Sequence, residues 1–162
     1  MPNQHYENFP VASPLLPPEL RAPIRVLYAF ARSADDLADE GNASPDERIA
    51  ALDAYERELD MIDAGQSSAV PLFRELANTL RDHHLGTGLL RELLSAFRQD
   101  VTQTRYDSFE SLLDYCSRSA NPVGRLMLSL AGETHEPTFR MSDAICSALQ
   151  IINFLQDVAI DW

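Results

Sequence analysis

From about Glu19 onward, apolar positions recur at helical rather than strand spacing, and the breaks between these stretches fall on Gly, Pro and Ser. A first helix is predicted from near Glu19 through IRVLYAFARSADDLADE, with Gly41 as its C-terminal stop. Ser44-Pro45-Asp46-Glu47 supplies an N-cap, a first-turn proline and a capping-box glutamate, so a second helix runs to about Asp63. After the loop Gly65-Gln66-Ser67-Ser68, a third helix covers about Pro71 to His84. Gly86-Thr87-Gly88 separates it from a fourth, Leu89 to about Val101. Asp107, with Glu110 three residues on, starts a Leu-rich fifth helix. Inside that helix Asn121-Pro122 removes a backbone donor and pushes Asn121 away from helical geometry, so a kink or break is expected before Gly124. A loop follows Gly132, and Ser142 is read as the cap of the final helix. No run alternates with period two, and there is no repeat or low-complexity tract. The pattern is all-α, with helices joined by short connections. Residues 1–18, with Pro2, Pro10, Pro14, Pro17 and Pro18, read as an extended lead-in to a helical domain over 19–162.

The final helical stretch, AICSALQIINFLQDVAIDW, is apolar on nearly every side, which argues burial all round. Gln150, Asn153, Asp157 and Asp161 interrupt it, and at about 100° per residue they fall within roughly 80° of one another. The first helix repeats the arrangement. Tyr28, Arg32, Asp35 and Asp39 lie within about 60° on a helical wheel. Each stripe ends in two aspartates four residues apart, which repel by a few tenths of a kcal/mol on an exposed helix and more when buried. A divalent cation removes the conflict. Mg²⁺ takes a few carboxylate oxygens and keeps its other positions for water or phosphate oxygens. Two facing pairs could therefore hold Mg²⁺ ions that grip a diphosphate and assist its departure.

A single DxxxD is more often a solvated face, and DDLADE alone reads that way, with Asp36 and Glu40 at the solvent or the rim of a site. Two matched pairs, one within an otherwise apolar helix, shift the balance toward a metal–diphosphate site. A di-iron bundle is the competing metal reading, but it wants Glu-x-x-His pairs, and none of His5, His83, His84 or His135 has a Glu three residues before it. An acidic helical interaction module, with both stripes solvated, is the alternative of another class.

With 162 residues and 45% hydrophobic content, the chain can build one domain with a real core. Its formal net charge of −12 disfavours nucleic acid and favours cationic ligands, metal ions or simple solubility. Cys116 and Cys146 lie inside apolar helical pattern and do not suggest a disulfide framework, so a reducing cytoplasm is the natural reading. MPNQHYENFP lacks the basic and apolar regions of a signal peptide, and no apolar run approaches the roughly 18 residues that span a bilayer. Peripheral membrane contact and oligomeric state stay open.

Three segments together, YAFARSADDLADE, YCSRSANPVGRLML and NFLQDVAID, resemble in type and order the squalene/phytoene synthase family of all-α prenyl synthases. ENFPVAS, the TRY ending at Tyr106 and SANPVGRL are similar to the family's bacterial hopanoid branch, which forms hydroxysqualene. The resemblance implies an isoprenoid-synthase-type helical bundle acting with Mg²⁺ on an isoprenoid diphosphate. It implies that Asp35 and Asp39 form the first metal-binding pair and Asp157 and Asp161 the second. Arg32 and Asn153 would then help position the diphosphate and metals, Gln150 would belong to the substrate-binding set, and Tyr115 would line the place where the carbocation or leaving diphosphate is handled. Ala120 and Gly124 would make room for isoprenoid chain, and Phe9 and Tyr28 would line the pocket. The implied reaction is ionisation of presqualene diphosphate with water capture to hydroxysqualene. Its sibling is condensation of two farnesyl diphosphates. Family members continue well beyond the second DxxxD, so the chain is expected to correspond to the N-terminal portion of a longer catalytic domain.

Overall fold

Seven helices form among the described residues: α1 (Pro18–Asp39), α2 (Pro45–Asp63), α3 (Pro71–Asp82), α4 (Gly88–Thr102), α5 (Phe109–Ser119), α6 (Asn121–Leu130) and α7 (Glu136–Ile160). The structure, a computed structural model, describes residues 16–103 and 105–160, with backbone alone for 157–160. Local signals set most of the boundaries. Ser44 Oγ accepts from the Glu47 N–H at 3.3 Å while Glu47 Oε2 accepts from the Ser44 N–H at 2.8 Å, closing the expected capping box. Gly41 follows α1 at φ 76°, a left-handed conformation that glycine adopts without a Cβ penalty.

Three boundaries differ from expectation. The box that starts α5 pairs Ser108 with Ser111, through N–H to hydroxyl bonds of 3.1 and 3.2 Å, because Asp107 lies one residue outside the cap. The break before α6 is centred on Ala120 (φ −110°, ψ −46°), and Asn121 is already helical. Pro122 falls in the first turn of α6, where its missing N–H would have had no intrahelical acceptor. Helix α7 begins at Glu136, six residues before Ser142. Glu133 Oε1 accepts from the N–H groups of Thr134 and His135, both at 2.8 Å, and organises the approach to that start.

Helices α1 and α4 are the centre of the packing. Helix α4 lies against α1, α2, α5 and α6, and α1 lies against α2, α3, α4 and α6. Phe30, Leu52, Leu59, Leu76, Leu90 and Leu94 are fully enclosed there, each gaining about 1.5–3 kcal/mol from burial. Phe30, Tyr55 and Phe73 stack in a trio with ring centroids 4.9 to 6.1 Å apart. Outside this core, Arg91 ties α4 to α2 through Asp60 (2.8 Å), Asp63 (2.7 Å) and Glu56, and Arg98 adds Asp53 at 2.9 Å.

Helix α7 is held differently. It packs on α6 and α5 alone among the described helices, and Met141, Ile145, Leu149, Ile152 and Leu155 are exposed. The expectation of burial all round is not met, because the neighbouring helices cover only one of its sides. Where α7 meets α6 the approach is very close. A Cβ on Gly124 would stand 2.6 Å from Cys146 Sγ and closer still to Ser142 Oγ. Cys116 and Cys146 are free thiols. No described helix is long and apolar enough to cross a membrane.

Candidate functional site

Between α1 and α7, which do not pack on each other among the described residues, lies a cavity of about 550 Å³ walled also by α4, α5 and α6. Along α1 its lining passes from Ile24 and Leu27 to Arg32 and Asp35, about 16 Å of helix axis. Across the space α7 contributes Cys146 and Leu149, then Gln150 and Asn153. Leu93, Phe97, Leu126 and Met127 complete an apolar section. One stretch of the wall is therefore oily and the other carries charge and amide groups.

Eight residues singled out from sequence lie on this lining: Tyr28, Arg32, Asp35, Tyr115, Ala120, Gly124, Gln150 and Asn153. They come from four segments that the fold brings together. The described cavity-lining members of the two stripes, Tyr28, Arg32 and Asp35 on α1 and Gln150 and Asn153 on α7, thus face one cavity, while Asp39 is exposed and does not line it. Gly124 borders the cavity, but the space left by its missing side chain is taken by Ser142 and Cys146 of α7. Phe9 and Asp161 lie outside the described residues, as does the Asp157 side chain, although the α7 backbone continues through Asp157.

At the polar end, Asp35, Asp36 and Asp39 offer carboxylate oxygens that all lie within 4.8 Å of one another. Asp36, expected at the solvent or the rim, belongs to this cluster and pairs with Arg32 at 2.9 Å. Arg32 also reaches Glu40 at 2.9 Å and Asp35 at 3.7 Å. Burial works against the Arg32 charge, but Asp36, Asp35 and Glu40 together hold its pKa above the ordinary value. Asp35 is pushed up to about 6, first by burial and then by the Asp39 charge, with Arg32 opposing. One guanidinium pairs with three carboxylates here, and Asp39 stands beside them as a fourth. An all-oxygen donor set with surplus negative charge fits a hard divalent cation of the Mg²⁺ type.

Sequence reasoning missed one acid. Asp100 of α4 accepts a hydrogen bond from the Tyr115 phenol at 2.8 Å. Burial, and then the Asp39 charge, push its carboxyl up to about 6, while the phenol's hydrogen bond works the other way. A helical-wheel signal existed, since Asp100 follows Leu93 and Phe97 at the same offsets by which Asp35 follows Tyr28 and Arg32. Tyr115 itself packs against Tyr106 (5.3 Å) and Phe154 (5.9 Å), an aromatic cluster joining α5, α7 and the loop before α5.

The sequence matches the squalene/phytoene synthase family over residues 2–162. The chain belongs to that family. Among squalene/phytoene synthase relatives, the hydroxysqualene synthase of Zymomonas mobilis is 44% identical over 156 residues, covering 96% of this chain and 52% of that protein. The phytoene synthase of Mycobacterium tuberculosis is 36% identical over 155 residues, covering 96% of this chain and 50% of that protein. The crystal structure of squalene synthase HpnC from Alicyclobacillus acidocaldarius superposes with a TM-score of 0.85 at 44% identity, covering 97% of this chain and 58% of that one. The all-α bundle is thus the one that this family member shows. The chain spans about half the length of the relatives it matches.

Proposed function

We propose that the protein provides the Mg²⁺–diphosphate half of an isoprenoid synthase site, in an enzyme that ionises presqualene diphosphate and captures the cation with water to give hydroxysqualene and diphosphate. The observation that carries this reading is the single cavity into which Tyr28, Arg32 and Asp35 project from α1 and Gln150 and Asn153 from α7. Similarity to hydroxysqualene synthases at 40 to 44% identity supports this member of the family's chemistry. Asp35 and Asp39, with Asp36 beside them, would hold metal from α1, and Asp157 and Asp161 would hold it from α7. Bound Mg²⁺ would supply neutralisation of the charge that grows on the departing diphosphate. Arg32 contributes a fixed cation at the same end, and Gln150 and Asn153 contribute amide groups that orient diphosphate oxygens. Ile24, Leu27, Leu93, Phe97 and Met127 offer a dry wall for isoprenoid chain, which keeps most water from the cation until capture. A cytoplasmic location goes with this reading, supported by the two free thiols.

Condensation of two farnesyl diphosphates is the second reading, favoured by the phytoene synthases among the relatives. Incubation with Mg²⁺ and presqualene diphosphate, followed by lipid extraction, distinguishes the two. Hydroxysqualene formation that disappears in Asp35→Asn plus Asp157→Asn supports the proposal. Product unchanged in that double variant defeats it.

A further inference from the structure

The reaction proposed above leaves Asp100 without a role, although its carboxylate touches a residue of the cavity wall. Asp100 is not among the residues that line the cavity, whereas Tyr115 is. The phenol donates to Asp100 Oδ2 at 2.8 Å, and the rings of Tyr106 and Phe154 fix the Tyr115 ring from other sides. A phenol has one proton. Once that proton is committed to a carboxylate, the oxygen keeps acceptor lone pairs and has no donor left to offer. Diphosphate oxygens need donors, whereas a carbocation or an attacking water proton needs an electron-rich acceptor. Burial and the Asp100 charge raise the Tyr115 pKa well above the ordinary phenol value, so the proton stays in place at neutral pH.

We infer that Asp100 is a positioning residue: by holding the Tyr115 proton it commits the phenol oxygen to the cation-and-water side of the reaction and withholds it from the diphosphate. This inference rests on the isoprenoid diphosphate reading. The rival role is a further carboxylate for the metal, since Asp100 and Asp39 lie near enough for their charges to interact.

Two substitutions separate these roles. Asp100→Asn keeps an acceptor oxygen but removes the charge, and Asp100→Ala removes both. A positioning residue predicts that Asp100→Ala lowers kcat by about tenfold or more with KM within about threefold, and that Asp100→Asn stays within about threefold of the parent kcat. Calorimetric binding of inorganic diphosphate with Mg²⁺ should stay within about twofold in both variants. The Cζ resonance of isotope-labelled Tyr115, assigned by its loss in Tyr115→Phe, should move in Asp100→Ala and hold in Asp100→Asn. Diphosphate binding weakened about tenfold in both variants would assign Asp100 to the metal instead. A Tyr115 resonance that does not move in Asp100→Ala would remove the hydrogen bond on which the inference stands. If the parent chain turns over neither presqualene nor farnesyl diphosphate, the functional reading fails. The Tyr115 resonance and diphosphate binding then still decide between the two roles of Asp100.

Discussion

Among the described residues, α1 brings Tyr28, Arg32 and Asp35 and α7 brings Gln150 and Asn153 to the two sides of one cavity, yet α1 is embedded in the bundle and α7 is covered by α5 and α6 alone. On α1, Ile24, Phe30, Ala34 and Ala38 are buried against α2, α3, α4 and α6, and its stripe is ion-paired within itself through Arg32. On α7, an apolar face from Met141 to Leu155 stays exposed while Gln150 and Asn153 reach the cavity. The same sequence pattern, an apolar helix with one narrow polar stripe, therefore supports two degrees of burial. Neighbouring helices decide which one results, not the helix's own composition.

The contrast can be broken most strongly in the α1 core. Phe30→Ala removes a fully enclosed ring from the trio with Tyr55 and Phe73 and should cost about 3–5 kcal/mol in urea unfolding. Next is the contact that seats α7. Gly124→Ala drives a methyl into Ser142 and Cys146 and should cost about 1–3 kcal/mol, with faster amide exchange along α7 than along α1. A smaller effect concerns Asp100. Its folded-state pKa of about 6 lies above the unfolded value of 3.8, so the folded chain holds the proton more tightly and loses stability as pH rises between those values. Asp100→Asn should therefore match the parent near pH 4 and melt about 2 °C higher above pH 7, in metal-free buffer. Smallest of all, Leu155→Ser on the exposed face of α7 should change stability by no more than about 0.5 kcal/mol.

How much of this was legible in the chain follows from the range of each interaction. The capping box of Ser44 and Glu47 and the stop at Gly41 are local, and both stand where the sequence places them. The stripe from Tyr28 to Asp35 was legible because helical periodicity alone puts those side chains on one face. Asp100 was legible only in part: the wheel puts it on the face of Leu93 and Phe97, but no charged residue at helical spacing marks it as part of a site. Only the packing of α5 on α4 brings Tyr115 to it. The start of α7 was misplaced at Ser142 because a good cap residue was read without its tertiary setting, where it faces Gly124 inside the helix. Exposure of Ile145 and Ile152 was equally illegible, since periodicity reports which faces are apolar and not what covers them.

The central claim is that the acidic end of this cavity takes up diphosphate through a divalent cation, and calorimetry tests it most directly. Inorganic diphosphate titrated into the protein should bind with Mg²⁺ present and not with Mg²⁺ chelated, and Asp35→Asn should weaken that binding by about tenfold or more. Binding of equal strength without Mg²⁺, or unaffected by Asp35→Asn, would contradict the account.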